Sequence, residues 1–242
     1  MRRWKSREDS DKLMVLGSRL TVGQRPLKPL IGVRFPAPQP KFCYNLLPQN
    51  TMDKINVLLV SGSINEKSYT RSLSDLVVKT LNREGVSVFH WNLQEKPLPI
   101  MVPELRKDIS NNPDTNTREF GKLATDCDAF ALASPIYHNS YSGVLKNAID
   151  HLRNPHFTYK AVGLISHGGH RSTQAVDHLR IVGRAVGSIV IPTTVCTSED
   201  DFDGYKIVNN DILERVQRFC EELVLFAKTM RPLRRDKIAK DK

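Results

Sequence analysis

The sequence predicts an α/β protein: a doubly wound, five-stranded parallel sheet of order 2-1-3-4-5 with helices on both faces. Three observations carry that expectation. Short apolar runs without polar alternation recur along the chain, as strands buried on both faces of a parallel sheet require. Each is followed by a stretch with apolar residues at helical spacing, and alternating strands and helices define the class. Three of the strands open into loops rich in Gly, Ser or aromatic residues, the arrangement that gathers a ligand where the strand order reverses in an open α/β sheet.

The first strand is Ile55 to Val60 (INVLLV), which opens into SGSINEKSYTRSL before a helix built on Leu73, Leu76, Val77, Thr80 and Leu81. Val86 to Trp91 is the second strand. Asn92 to Thr117 follows, rich in Pro and Asn and long for a plain connection. It is read either as a lid or partner contact near the site, or as a surface excursion. The third strand, Asp128 to Ser134 (DAFALAS), is expected to end at Pro135. After its loop, Val144, Leu145, Ala148, Ile149 and Leu152 fall at helical spacing with Ser142 at the N-cap. The fourth strand, Ala161 to Ile165, leads through SHGGHRS (Ser166 to Ser172) into a helix on Ala175, Leu179, Val182 and Val186. Ser188 to Pro192 is the fifth strand. The closing helix, about Ile212 to Met230, places Ile212, Val216, Phe219, Leu223 and Phe226 at spacings of three and four, so it packs on the sheet.

In this strand order the ends of the first, third and fourth strands converge. The first of their loops suits a phosphate, because backbone N–H groups at a helix start and nearby hydroxyls satisfy phosphate oxygens, and the helix dipole favours the charge. Ser63, Ser68 and Thr70 are the candidate donors. Gly62 is the loop's only glycine and no Gly-Lys-Ser/Thr ending is present, so neither the dinucleotide fingerprint nor a P-loop is matched. In the last of the three loops, Gly168 and Gly169 permit close backbone approach. Read alone they are a flexible turn, with His167 and His170 as solvated neighbours.

The run SPIYHNSYSGVLKNAIDHL, Ser134 to Leu152, resembles the signature of the NADPH-dependent FMN reductase family, which are flavodoxin-like enzymes. That motif reads Pro-x-Tyr-Asn-x-Ser-x-x-Gly-x-Leu-Lys-Asn-x-Ile-Asp. Pro135, Tyr137, Ser140, Gly143, Leu145, Lys146, Asn147, Ile149 and Asp150 stand in register, with His138 where the family usually has Asn. The resemblance implies that Pro135, Ile136, Tyr137 and His138 run along a flavin ring, mostly through backbone groups. It also implies that the following helix enters a subunit contact in a homodimer or homotetramer. The first loop is similar to the family's Gly-Ser-x-x-x-x-Ser phosphate loop, in which an Arg often follows the first Ser by two positions. Asn65 holds that place here; Arg71 either replaces the charge or is a surface residue. By the same resemblance Ser166, Gly168, Gly169 and His170, with Arg171, bound the pyrimidine end of the ring.

The implied activity is hydride transfer from NADPH or NADH to FMN, then to a small-molecule electron acceptor such as a free flavin, quinone, azo compound or metal oxyanion. The cofactor carries that chemistry, so no catalytic side chain is assigned. Lys146, Asn147 and Asp150 are read as packing, hydrogen-bonding or subunit-contact residues. The alternatives are a flavodoxin-like electron carrier and a flavin-dependent oxidant of one metabolite. The first of these typically presents an acidic face.

The net charge of +10 suggests nucleic acid until it is divided along the chain. Residues 1–51 hold ten Lys and Arg against three acids, a net +7, which leaves +3 for the remainder, ordinary for an enzyme. No nucleic-acid partner is therefore expected. The string Gly32 to Pro38 resembles a translated transfer RNA T-arm, so residues 1–51 are expected to be a mis-assigned or disordered extension, with a targeting segment as the competing reading. Residues 52–230 form one domain, and 231–242 a frayed basic tail. No run approaches the roughly 18 apolar residues of a membrane span. Cys43, Cys127, Cys196 and Cys220 are dispersed, without metal-ligand spacing, and read as reduced thiols of a cytoplasmic protein. Glu199, Asp200, Asp201 and Asp203 read as a solvated acidic turn, because Glu199 and Asn210 stand where a calcium loop needs Asp and Glu.

Overall fold

A computed structural model describes residues 54–240 of the chain; the expectations for residues 1–51 and for Cys43 lie outside them. The elements in order are β1 (Asn56–Ser61), α1 (Tyr69–Arg83), β2 (Ser87–Asn92), α2 (Thr115–Asp126), β3 (Ala129–Tyr137), β4 (Ser140–Tyr141), α3 (Gly143–His151), α4 (Asn154–Phe157), β5 (Ala161–His167), α5 (Gln174–Ala185), β6 (Ile189–Thr197), β7 (Phe202–Asp203), β8 (Lys206–Ile207) and α6 (Asn210–Lys240). The main sheet runs β2-β1-β3-β5-β6, which is the expected 2-1-3-4-5 order, with the two-residue β4 added antiparallel to β3.

The unalternated strands are explained by two cores, one on each face of the sheet. Val57, Leu59, Ala131 and Ile165 pack with Leu73 and Val77 of α1 and Phe219 and Leu223 of α6. Their strand neighbours Leu58, Val60, Phe130, Leu132 and Leu164 pack on the other side with Phe120 of α2, Leu145 and Ile149 of α3 and Leu179 of α5. Successive side chains point to opposite faces, so a strand serving both cores is apolar at consecutive positions until its carboxyl end, where Ser61, Ser134 and Ser166 stand.

Pro135 does not end β3. Gly62 N donates to Ala133 O at 2.8 Å, so the polar groups of Ala133, and of Pro135 two residues on, point toward β1. Pairing with β1 stops at Ala133 while pairing with β5 continues to Pro135, so the missing N–H falls on an open edge and removes no ladder bond.

The fifth strand likewise passes its expected end at Pro192. Val162 pairs with Val190 and Leu164 with Thr194, so Ile191 to Thr193 bulge out of the ladder. Arg180 donates to Ile191 O at 3.3 Å and Pro192 O at 2.9 Å, Thr193 N donates to Glu222 at 2.9 Å, and Arg215 donates to Thr194 O. These side chains occupy backbone groups that an unprotected edge strand would offer to another chain.

The C-terminal helix crosses the expected boundary at Met230 and runs through Pro232 to Lys240. Arg231 pairs with Asp128 and donates to Lys54 O at 2.8 Å, and Arg234 donates to Cys127 O at 2.8 Å. Asp128 also accepts from Asn56 N at 3.0 Å, so one buried carboxylate joins the starts of β1 and β3 to this helix. The frayed-tail expectation is thus corrected for residues 231–240, which continue the helix, with Arg231 and Arg234 paired to Asp128.

The long 92–117 segment is strapped to α3. Met101 N donates to Asn147 Oδ1 at 2.9 Å, Asn147 Nδ2 donates to Pro99 O at 2.8 Å, His151 Nε2 bonds the same carbonyl at 2.9 Å, and Arg106 donates to Leu152 O at 2.9 Å. A 3₁₀ segment, Leu105–Asn111, follows, and its Ile109 packs where Gly121 of α2 leaves room. Among the described residues no helix is long and apolar enough to cross a membrane. Cys127, Cys196 and Cys220 are free thiols.

Candidate functional site

The carboxyl ends of β1, β3 and β5 stand side by side, with Ser61 paired to Ala133, Ser134 to Ser166 and Pro135 to His167. The three predicted loops therefore leave the sheet together. The first and second are joined by a buried network around Gly62 and Ser142. Ser142 Oγ donates to Gly62 O at 2.6 Å and accepts from Leu145 N at 3.3 Å, capping α3, while Ser142 N donates to Ser134 Oγ at 2.8 Å. A Cβ at Gly62 would lie 2.8 Å from Leu145 Cβ and 2.9 Å from Ala133 O, so only glycine fits.

Ser63, Ser68 and Thr70 are all buried beside this junction. Ser68 is the N-cap of α1, its Oγ accepting from Arg71 N at 3.2 Å. The N–H groups of Ser63, Tyr69 and Thr70 have no acceptor among the described residues. Unpaired amides at the start of a 15-residue helix, with three hydroxyls, suit a phosphate. Arg71 does not supply the charge missing at Asn65. Its guanidinium donates to Glu66 O at 3.1 Å, Asn65 O at 2.8 Å and Gln94 Oε1 at 2.9 Å, so it braces the loop through its carbonyls.

The aromatic loop after β3 is a hairpin, which the sequence reading did not foresee. Ile136 pairs with Tyr141 and Tyr137 with Ser140, leaving His138 and Asn139 as a two-residue turn with φ of 47° and 62°. Positive φ at both central positions defines the type I′ turn. Histidine, like the Asn of the resembling signature, is among the residues that tolerate that region, so the departure keeps the backbone requirement. Ser140 Oγ and His178 Nδ1, 3.0 Å apart, tie the hairpin to α5.

In the third loop Ser166 is wholly buried at the end of β5. Gly168 is buried and its N–H is used by Thr197 O at 3.1 Å; a Cβ there would lie 2.9 Å from the Ile136 side chain. Gly169 and His170 are exposed, their N–H groups have no acceptor among the described residues, and a Cβ at Gly169 would meet nothing within 4 Å. The available donors are therefore Gly169 and His170. Arg171 is turned away and paired with Asp201.

Asp201 corrects the solvated-turn expectation. It is wholly buried, and its carboxylate accepts from Arg171, from Ser198 N at 2.9 Å and from Asn209 Nδ2 at 2.9 Å. The β7–β8 hairpin that follows turns at Gly204, φ 58°, and brings Phe202 and Tyr205 to Tyr69, with ring centroids 4.8 and 5.0 Å away. Tyr69 also lies 4.7 Å from His167, whose Nδ1 is 3.1 Å from Thr197 Oγ1. Burial holds the His167 pKa below its ordinary value, against the opposing pull of Glu199 and Asp201. Residues 198–209 are thus a fourth wall. Two signals in the sequence point to it: Ser198-x-x-Asp201 as a capping pattern and Asp203-Gly204 as a hairpin turn.

The sequence profile of the NADPH-dependent FMN reductase family matches residues 55–201. The FMN-dependent NADPH-azoreductase of Staphylococcus saprophyticus is 33% identical over 177 residues, covering 71% of this chain and 94% of that protein. The enzyme of the same name from Staphylococcus aureus is 31% identical over 175 residues, covering 70% and 93%. In fold, the chain is similar to the flavoenzyme NAD(P)H:(acceptor) oxidoreductase FerB of Paracoccus denitrificans, with TM-score 0.60 and 19% identity over 73% of this chain and 98% of that one. It is also similar to an archaeal flavodoxin, with TM-score 0.51 and 12% identity over 72% and 99%. The family signature in Pro135 to Asp150, the profile spanning all three loops and the near-full-length relatives agree: this chain belongs to the NADPH-dependent FMN reductase family.

Proposed function

We propose that the protein is an FMN-dependent oxidoreductase that takes hydride from NADPH, or NADH, and reduces a small acceptor of the quinone, flavin, azo or metal-oxyanion class. The observation that carries this reading is the meeting of a donor-rich helix start, an exposed aromatic hairpin and an open glycine loop at one end of the sheet. FMN, when bound, supplies the redox chemistry. The chain's own residues hold and orient it. Ser63, Ser68 and Thr70, with the free N–H groups around them, take the phosphate. Pro135 to His138 line the ring, and the rigid two-residue turn keeps that strand end from collapsing into the space. Gly169 and His170 present their N–H groups to the pyrimidine end.

The same reading takes the protein as a cytoplasmic homodimer or homotetramer. Ile100, Val102 and Leu105, exposed at 82%, 43% and 37%, form an apolar stretch on the segment strapped to α3, which supports a second copy as its cover. Sedimentation velocity of the parent and of Ile100→Asp tests this, and a monomeric parent contradicts it. The cofactor assignment is tested by fluorescence quenching with FMN and riboflavin. FMN should bind tighter than riboflavin, and equal affinity removes the phosphate assignment.

A further inference from the structure

The segment 198–209 is tied to the glycine loop by the Arg171–Asp201 ion pair, beside an edge contact of the Phe202 ring with His167 at the end of β5. Asp201 keeps Ser198 N and Asn209 Nδ2 as donors without Arg171, and its backbone oxygen takes Val208 N at 3.0 Å and Asn209 N at 3.4 Å. Arg171, in turn, is 44% exposed in its side chain and is bonded through both Nε and Nη2 to this carboxylate. Without the arginine the acidic turn keeps these hydrogen bonds, whereas the loop loses both of its bonds to the carboxylate.

We infer that Arg171 is a positioning residue for the cofactor, a tether to Asp201 that fixes the direction of the Gly169 and His170 N–H groups. This inference rests on the FMN reading. The loop's other restraints lie on either side of Gly169: His167 Nδ1 at 3.1 Å from Thr197 Oγ1 and Gly168 N on Thr197 O at 3.1 Å before it, and Ser172 N on His170 O at 2.7 Å and the Ser172 hydroxyl on Gln174 at 3.2 Å after it. Between them stands Gly169, exposed and touching nothing through its Cα face, with the backbone freedom of a glycine. A bidentate guanidinium–carboxylate pair fixes orientation as well as distance, so the residue two positions from Gly169 is held in one geometry. If the tether is cut, the loop samples conformations that do not present both donors, and apparent affinity falls in proportion to the fraction that still does.

The test is Arg171→Ala and Arg171→Lys in the full chain, with FMN affinity by fluorescence quenching, hydrogen exchange of residues 168–172 without FMN, and thermal unfolding without FMN. Arg171→Ala should raise the FMN Kd by about tenfold and speed exchange at Gly168 and Ser172, the loop amides that are hydrogen-bonded in the parent. Arg171→Lys, which keeps one charged contact with Asp201, should recover part of the affinity. An unchanged Kd in Arg171→Ala overturns the inference, and so does a lowered melting temperature with unchanged Kd, which would mark the pair as a stability element alone. Failure of the parent to bind FMN overturns the cofactor reading itself; the exchange rates then still decide whether Arg171 tethers the loop.

Discussion

Replacing Gly62 with Ala places a methyl group against atoms that have little room to move. Its Cβ would lie 2.8 Å from Leu145 Cβ, 2.9 Å from Ala133 O and 3.0 Å from Ser142 Oγ. Ala133 O already accepts from Gly62 N, Leu145 Cβ is fixed to the first turn of α3, and Ser142 Oγ is bonded to Gly62 O at 2.6 Å. Relief therefore has to come from separating the first loop from α3. Overpacking of this kind costs about 1–3 kcal/mol. Losing the Ser142–Gly62 hydrogen bond adds roughly 1 kcal/mol. At roughly 2–4 °C per kcal/mol for a domain of this size, the melting temperature should fall by about 5–15 °C. The assay is thermal unfolding without FMN, followed by FMN affinity on the folded variant, which should also weaken because the phosphate loop has shifted. A melting temperature within about 1 °C of the parent would refute the close approach on which the loop geometry rests.

Gly169→Leu is the converse case: nothing lies within 4 Å of its Cβ, so stability without FMN should change by less than about 0.5 kcal/mol while FMN retention falls, and unchanged occupancy would remove the third loop from the site. Ser68→Ala should lower stability by about 1 kcal/mol through the lost N-cap and should narrow the preference for FMN over riboflavin; an unaltered preference leaves Ser68 a cap alone. His90, His156 and His167 are each held below their ordinary pKa by burial. Between those depressed values and 6.5 the unfolded chain binds more protons, so stability is complete above 6.5 and is lost as pH falls. Urea unfolding from about pH 7.5 to about pH 5.5 should show a falling midpoint, with a smaller slope in His167→Gln; equal slopes contradict the burial of that imidazole.

The strands, their order and the convergence of three loops were legible because they depend on local pattern: unalternated apolar runs, helical spacing, and Ser68 and Ser142 at the two caps. What escaped the sequence depends on partners far along the chain. Pro135 reads as a strand end until the early stop of β1 gives it an open edge, and Pro192 until Arg180, Glu222 and Arg215 secure the bulge. The His138-Asn139 turn lacks the glycine that marks most I′ hairpins, so only its backbone reveals it. Asp201 looks like one acid in a solvated cluster until Arg171, thirty residues upstream, is brought to it. Arg231 and Arg234 look like a loose basic tail until Asp128 is seen beneath them.

The central claim is that these loops hold a flavin that a reduced nicotinamide can reach. Its most direct test is the visible spectrum of the full-length protein with FMN added, followed anaerobically as NADPH and then NADH are titrated in. Bound FMN should show a perturbed spectrum that bleaches with substoichiometric protein, and the rate should rank the two nucleotides. A spectrum identical to that of free FMN, with no bleaching by either nucleotide, would contradict it.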